Sequence, residues 1–110
     1  MKSHALVFAL IAFAVSTAVE AKGNAEKGKA KAAQVCAACH GADGAKPTAP
    51  DQPILAGQYP DYLVKALADY KSGKRANPIM KAFADQLSKQ DIEDVSAWFA
   101  SQKSALHFQR

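Results

Sequence analysis

A chain of 110 residues with six glycines, five prolines, two cysteines and a formal charge of +4 has room for one small domain. Its hydrophobic fraction of 49% and charged fraction of 22% are those of a globular protein and exclude a disordered or fibrous one. The lysines are scattered, with no basic–aromatic stripe, so nothing marks a nucleic-acid binder.

The first segment has the order of a secretory signal. Lys2 gives a positive start, "ALVFALIAFAV" (Ala5 to Val15) is apolar, and "STAVEA" supplies small residues. The apolar run is too short to span a bilayer as a mature helix. Val19 and Ala21 are small enough for the two positions a signal peptidase reads, so cleavage is expected after Ala21, with Ala18 as the alternative. An uncleaved anchor is the competing reading; Glu20 and the small residues beside the run count against it. The expected organisation is a signal peptide over 1–21 and a single exported domain over 22–110, periplasmic and without a mature membrane span. Lys2 and Glu20 leave together, so the positive excess stays with the domain. A domain of this size is only marginally stabilised by its own core.

Helical signals follow in blocks, with no alternating strand pattern. Asn24 can cap a first helix over Ala25 to Val35 that ends at the cysteine motif. From Gly41 to Gln58, Pro47, Pro50 and Pro53 with three glycines predict an ordered loop. Pro60 suits the first position of a helix running to about Ser72, with Gly73 stopping it and Leu63, Leu67 and Tyr70 on one face. After the turn "GKRANP" a short helical segment is expected near Ile79 to Gln86. Ser88 and Asp91 resemble a capping box opening a last helix to about Lys103, with Ile92, Val95 and Phe99 facing inward beside Trp98.

Both cysteines lie in "QVCAACHGADG". A redox C-x-x-C pair belongs beside a βαβ pattern, which is missing here. Zinc asks for four ligands, or three and a water; outside the motif the exported part offers only His107 as a further histidine. C-x-x-C-H is the haem c attachment motif. Two thiols a helical step apart can add to the two vinyl groups, and the next histidine then lies under the iron. Cys36 and Cys39 are thus expected to hold one covalent haem c and His40 to bind its iron. For the opposite face, Met1 and His4 depart with the signal, leaving Met80 and His107. A methionine is often core filler. Met80, however, sits in "NPIM" after a proline-containing turn, where a loop can present it, and Met/His is a standard haem ligand pair.

Taken together, "CAACHGADG", "PILAGQYPDYL", "NPIM" and "LSKQDIEDVSAWFAS" resemble a class I cytochrome c of the small bacterial type, similar to cytochromes c4, c5 and c553, over nearly all of the exported part. The resemblance implies an all-α cytochrome c fold of three to five helices around one covalent haem, with His40 proximal and Met80 distal. It implies that the first and last helices cross at Gly28, with Trp98 where members more often carry tyrosine. It implies a loop proline carbonyl on the His40 ring, pointing to Pro53, which reads equally as a plain turn proline. Arg75 meets a haem propionate or is merely solvated. The implied function is a periplasmic one-electron carrier between respiratory donor and acceptor proteins, not an enzyme. The alternatives are a subunit of a larger periplasmic oxidoreductase and an open-site haem enzyme or gas-binding protein. Redox partners with acidic docking surfaces would be met by Lys27, Lys29, Lys31, Lys71, Lys74 and Arg75, the chain acting as a monomer or as a subunit of a redox complex.

Overall fold

The computed structural model describes residues 3–5, 7, 9–12 and 23–104. The expected cleavage site and His107 lie outside these. Five helices and no strands occur among the described residues: α1 (Ala25–Val35), α2 (Ala37–His40), α3 (Pro60–Ser72), α4 (Pro78–Ala84) and α5 (Lys89–Ala100). The all-α expectation holds. No described helix is long and apolar enough to cross a membrane, and Val7, Leu10 and Ile11 of the N-terminal apolar run are exposed.

Local chemistry accounts for the helix ends. The Asn24 side chain accepts from Lys27 N at 3.0 Å and opens α1. Pro60 stands in the first turn of α3, and Gly73, at φ 84°, closes it in the left-handed region that a side chain disfavours. Ser88 and Asp91 form the expected capping box of α5. Two expectations are corrected. Helix α5 stops at Ala100 rather than near Lys103, because the Ser101 hydroxyl (2.7 Å) and the Gln102 amide (3.1 Å) both donate to the Trp98 carbonyl and turn the chain out of the helix. The short helix expected near Ile79 to Gln86 forms over Pro78–Ala84, so Met80 is presented from a helix rather than from a loop: Asn77 Oδ1 accepts from Ile79 N and Met80 N (3.1 and 3.0 Å), and Pro78 is pre-set for a first turn.

The largest helix interface is α1 on α5; α3 packs on α5 and on α4. Gly28 makes the first contact possible. A Cβ there would fall on the Asp94 carbonyl and 3.0 Å from the Trp98 Cβ, so the helices cross at this residue. Asp94, itself buried, accepts from Asn24 N at 2.8 Å and from Gln90 Nε2 at 2.9 Å, tying the start of α1 to α5. Ala32, Leu63, Leu87, Ile92, Val95 and Phe99 form the core. Each of the larger side chains contributes about 1.5–3 kcal/mol on burial. Only eight apolar residues are buried among those described, and three are alanines, so the core is thin for the loop it must seat.

Candidate haem site

Cys36 ends α1 and begins α2. Its N–H still reaches back to the Ala32 carbonyl (2.8 Å), while its own carbonyl accepts from Cys39 N (3.3 Å) and His40 N (3.0 Å). Cys36, Cys39 and His40 therefore share one helical turn. Residues three and four apart lie on one helix face, which is why this spacing aims two thiols and an imidazole at the same object. Gly41, at φ 88°, ends the turn; a Cβ there would come within 2.8 Å of the Lys46 carbonyl.

The proline-rich loop folds back over the turn. Thr48 N donates to the Cys39 carbonyl at 2.9 Å, and His40 Nδ1 lies 2.9 Å from the Pro53 carbonyl oxygen. A carbonyl can only accept, so Nδ1 carries the proton and Nε2 of the neutral ring keeps its lone pair for a metal. His40 is only 6% exposed, which holds the ring in that orientation. Of the two readings of Pro53, the structure selects the histidine partner. Beyond it, Leu55 N donates to the Gly44 carbonyl at 2.8 Å, and Gly57 N to the Phe99 carbonyl at 2.9 Å. Gly44, at φ 76°, leaves no room for a side chain, since a Cβ would sit 2.7 Å from the Phe99 ring. Trp98 contributes its indole N–H to the Ala42 carbonyl (3.1 Å), so α5 holds both ends of the loop.

Burial pushes the Cys36 thiol up to about 11, which keeps it protonated. A redox cysteine needs the opposite shift. No group of three or more His, Cys, Asp or Glu residues among those described could hold a metal ion, so a zinc ligand set does not form there.

Met80 stands apart from the motif, part-buried in the first turn of α4. Ile79 beside it is 68% exposed, Ile54 next to Pro53 is 36% exposed, and Tyr59 is 79% exposed. Exposed apolar side chains thus stand next in sequence to Met80 and to the Pro53 that holds His40, and a large apolar plate would give such side chains cover. The residues fit a haem. Arg75 is neither free nor simply solvated: its guanidinium lies 4.8 Å over the Tyr70 ring and donates to Tyr62 Oη at 3.3 Å. Other basic residues are partly engaged. Lys31 pairs with Asp91 (3.7 Å), Lys65 with Asp69 (2.7 Å) and Lys81 with Asp85 (3.2 Å), Lys29 lies over Trp98, and Lys71 Nζ donates to the Leu87 carbonyl.

Sequence reasoning missed Asp94, Thr48 and Gln52. Asp94 gives a weak signal, a carboxylate inside an apolar helix face; the other two give none, because their partners are set by how the loop folds.

Known proteins agree with the geometry. Cytochrome c4 of Pseudomonas aeruginosa is 48% identical over 101 residues, covering 92% of this chain and 49% of that protein. Cytochrome c4 of Stutzerimonas stutzeri is 42% identical over 112 residues, covering 94% and 52%. The crystal structure of reduced recombinant cytochrome c4 from Pseudomonas stutzeri superposes with a TM-score of 0.67 at 46% identity, covering 74% of this chain and 46% of that one. The chain thus spans about half the length of the relatives it matches. Its cofactor is covalently bound haem c, which the spacing of Cys36 and Cys39 fits. The model of the cytochrome c family matches residues 25–103, nearly all of the folded part, and the chain belongs to that family.

Proposed function

We propose that this chain is a periplasmic one-electron carrier and not an enzyme, with Cys36 and Cys39 forming the two thioether bonds and His40 Nε2 and Met80 Sδ as axial ligands. The observation that carries the reading is the His40–Pro53 hydrogen bond of 2.9 Å, which leaves Nε2 as the donor atom on the turn that holds both thiols. When bound, haem c supplies a reversible one-electron couple whose potential a methionine ligand raises. The chain's residues do the rest. The buried motif turn fixes the imidazole, Pro53 holds its Nδ1 proton and raises its basicity, and the loop seated on Phe99 shields that face from water. Met80 Sδ would hold the iron together with His40 and so leave no position free for a substrate.

Export is supported by the positive start at Lys2, the apolar run from Ala5 to Val15 and the small residues after it. Residues 22–110 would then form the working domain, beginning at Lys22. The partners are redox proteins, met by the lysines of α1 and of the α3–α4 turn.

The test is an optical spectrum, oxidised and reduced, of protein matured with a haem-attachment system, together with N-terminal sequencing of the exported form. The expected results are a low-spin spectrum whose reduced form ignores carbon monoxide, and a first residue of Lys22. A strong Soret shift with carbon monoxide in the native protein would assign it instead to the ligand-binding or catalytic haem proteins.

A further inference from the structure

The loop that presents Pro53 to His40 is poor in backbone hydrogen bonds, because Pro47, Pro50 and Pro53 have no N–H to give. One side chain replaces them. Gln52 Oε1 accepts from Thr48 N at 3.1 Å, from Thr48 Oγ1 at 2.9 Å and from Ala49 N at 3.0 Å, while Gln52 N donates to the Ala49 carbonyl at 3.2 Å. Two of the three side-chain partners are backbone N–H groups, which can only donate, so the oxygen of the amide must face them. Thr48 N is shared with the Cys39 carbonyl at 2.9 Å. The result is a closed ring of contacts running from His40 to Pro53, through Gln52 to Thr48, and back to Cys39, the residue before His40.

We propose that Gln52 is a positioning residue for His40, acting through the Pro53 carbonyl. The assignment rests on the reading of His40 as the iron ligand. Its physical basis is the stiffness of the link. A residue before proline is restricted to extended backbone and proline fixes its own φ, so locking the Gln52 side chain onto Thr48 and Ala49 aims the Pro53 oxygen. That oxygen holds the Nδ1 proton and with it the plane and basicity of the imidazole. A turn residue of purely structural importance would affect stability alone; Gln52 must also affect the ring it never touches.

The experiment uses the haem-loaded protein and compares wild type with Gln52→Leu, which keeps the bulk and removes the acceptor, and Gln52→Glu, which keeps an acceptor for all three donors. Two quantities are read: the exchange rate of the His40 Nδ1 proton by NMR, and the midpoint potential. In Gln52→Leu the proton exchanges about two- to tenfold faster, the Boltzmann factor of one net hydrogen bond. The potential shifts upward as the imidazole becomes a weaker electron donor. Gln52→Glu restores the slow exchange. Exchange and potential unchanged in Gln52→Leu, with only the melting midpoint lowered, overturn the proposal and leave the axial assignment standing. A wild type without a hyperfine-shifted histidine ring signal in the oxidised state overturns the axial assignment and this proposal with it. If Gln52→Leu fails to mature, Thr48→Val, which removes the hydroxyl donor to Oε1, is read in the same way and for the same two outcomes.

Discussion

At the residue scale the proposed ligand set divides into one half built by neighbours in sequence and one half that is not. Cys36, Cys39 and His40 share a turn because they are three and four residues apart, whereas Met80 arrives on α4. That division sets the outcome of Met80→Ala. Haem stays covalently attached, since the cysteines are untouched; the sixth position opens to water or an added ligand, and the potential falls with loss of the soft sulfur. The weak long-wavelength sulfur-to-iron band of the oxidised protein reports this directly: present in wild type and lost in the variant. His107→Ala leaves the band in place. Survival of the band in Met80→Ala refutes the ligand assignment.

At the element scale, close approach and capping do the positioning. Gly28→Val places a branched side chain against the Asp94 carbonyl where α1 and α5 cross. Overpacking of this kind costs about 1–3 kcal/mol. The expected result is a lowered melting midpoint with a near-normal haem spectrum, because the motif turn lies beyond the crossing. An unchanged midpoint means the backbones do not meet there. In α5 the Ser88 backbone N–H, the Ser88 hydroxyl and nearby Lys31 hold the Asp91 carboxyl below the usual carboxylate range. A folded-state value below the unfolded one of about 3.9 contributes stability that is present above that value and lost as pH falls through the folded one. Asp91→Asn should therefore melt lower than wild type at neutral pH, with the gap closing in acid; thermal melts across the acid range decide it. A gap independent of pH means the ionised carboxylate contributes nothing. Helix α4 carries the lesson for sequence reading. Its cap, Asn77 before Pro78, is legible and a short helix is expected there, but seven residues are too few to show an apolar period that would put Met80 inside the helix rather than on a loop before it.

Across the whole molecule, the thin core calls for a cofactor to complete it. Among the described residues only eight apolar ones are buried, while Ile54, Ile79 and Tyr59 stay uncovered, so a bound haem would add the apolar surface that the chain's own core lacks. Charge acts at the same scale. The formal excess is +4, but the ion pairs of Lys31, Lys65 and Lys81 spend part of it locally, and exposed pairs of this kind are worth little to stability. What remains can steer an acidic partner over a distance set by salt, the screening length falling from about 30 Å at 0.01 M to about 3 Å at 1 M. Electron transfer with an acidic partner protein should slow across that range, measured by stopped flow. Rates that ignore ionic strength reduce the basic residues to a solvated surface.

The sequence by itself determined the helical class, the bounds of α1 and α3, and the motif turn, because each depends on neighbours within four residues: Asn24 on Lys27, Pro60 and Gly73 at the two ends of α3, and Cys36 on His40. The resemblance to small bacterial cytochromes added the crossing at Gly28 and the carbonyl on His40, both of which the structure contains. Only tertiary structure decided that Pro53 is the histidine's partner rather than a plain turn proline, that Gln52 and Thr48 brace it, and that buried Asp94 ties α1 to α5. These contacts join residues 4 to 70 positions apart, and across a loop or between helices no local period records a partner. Their geometry exists only once the chain has closed on its core.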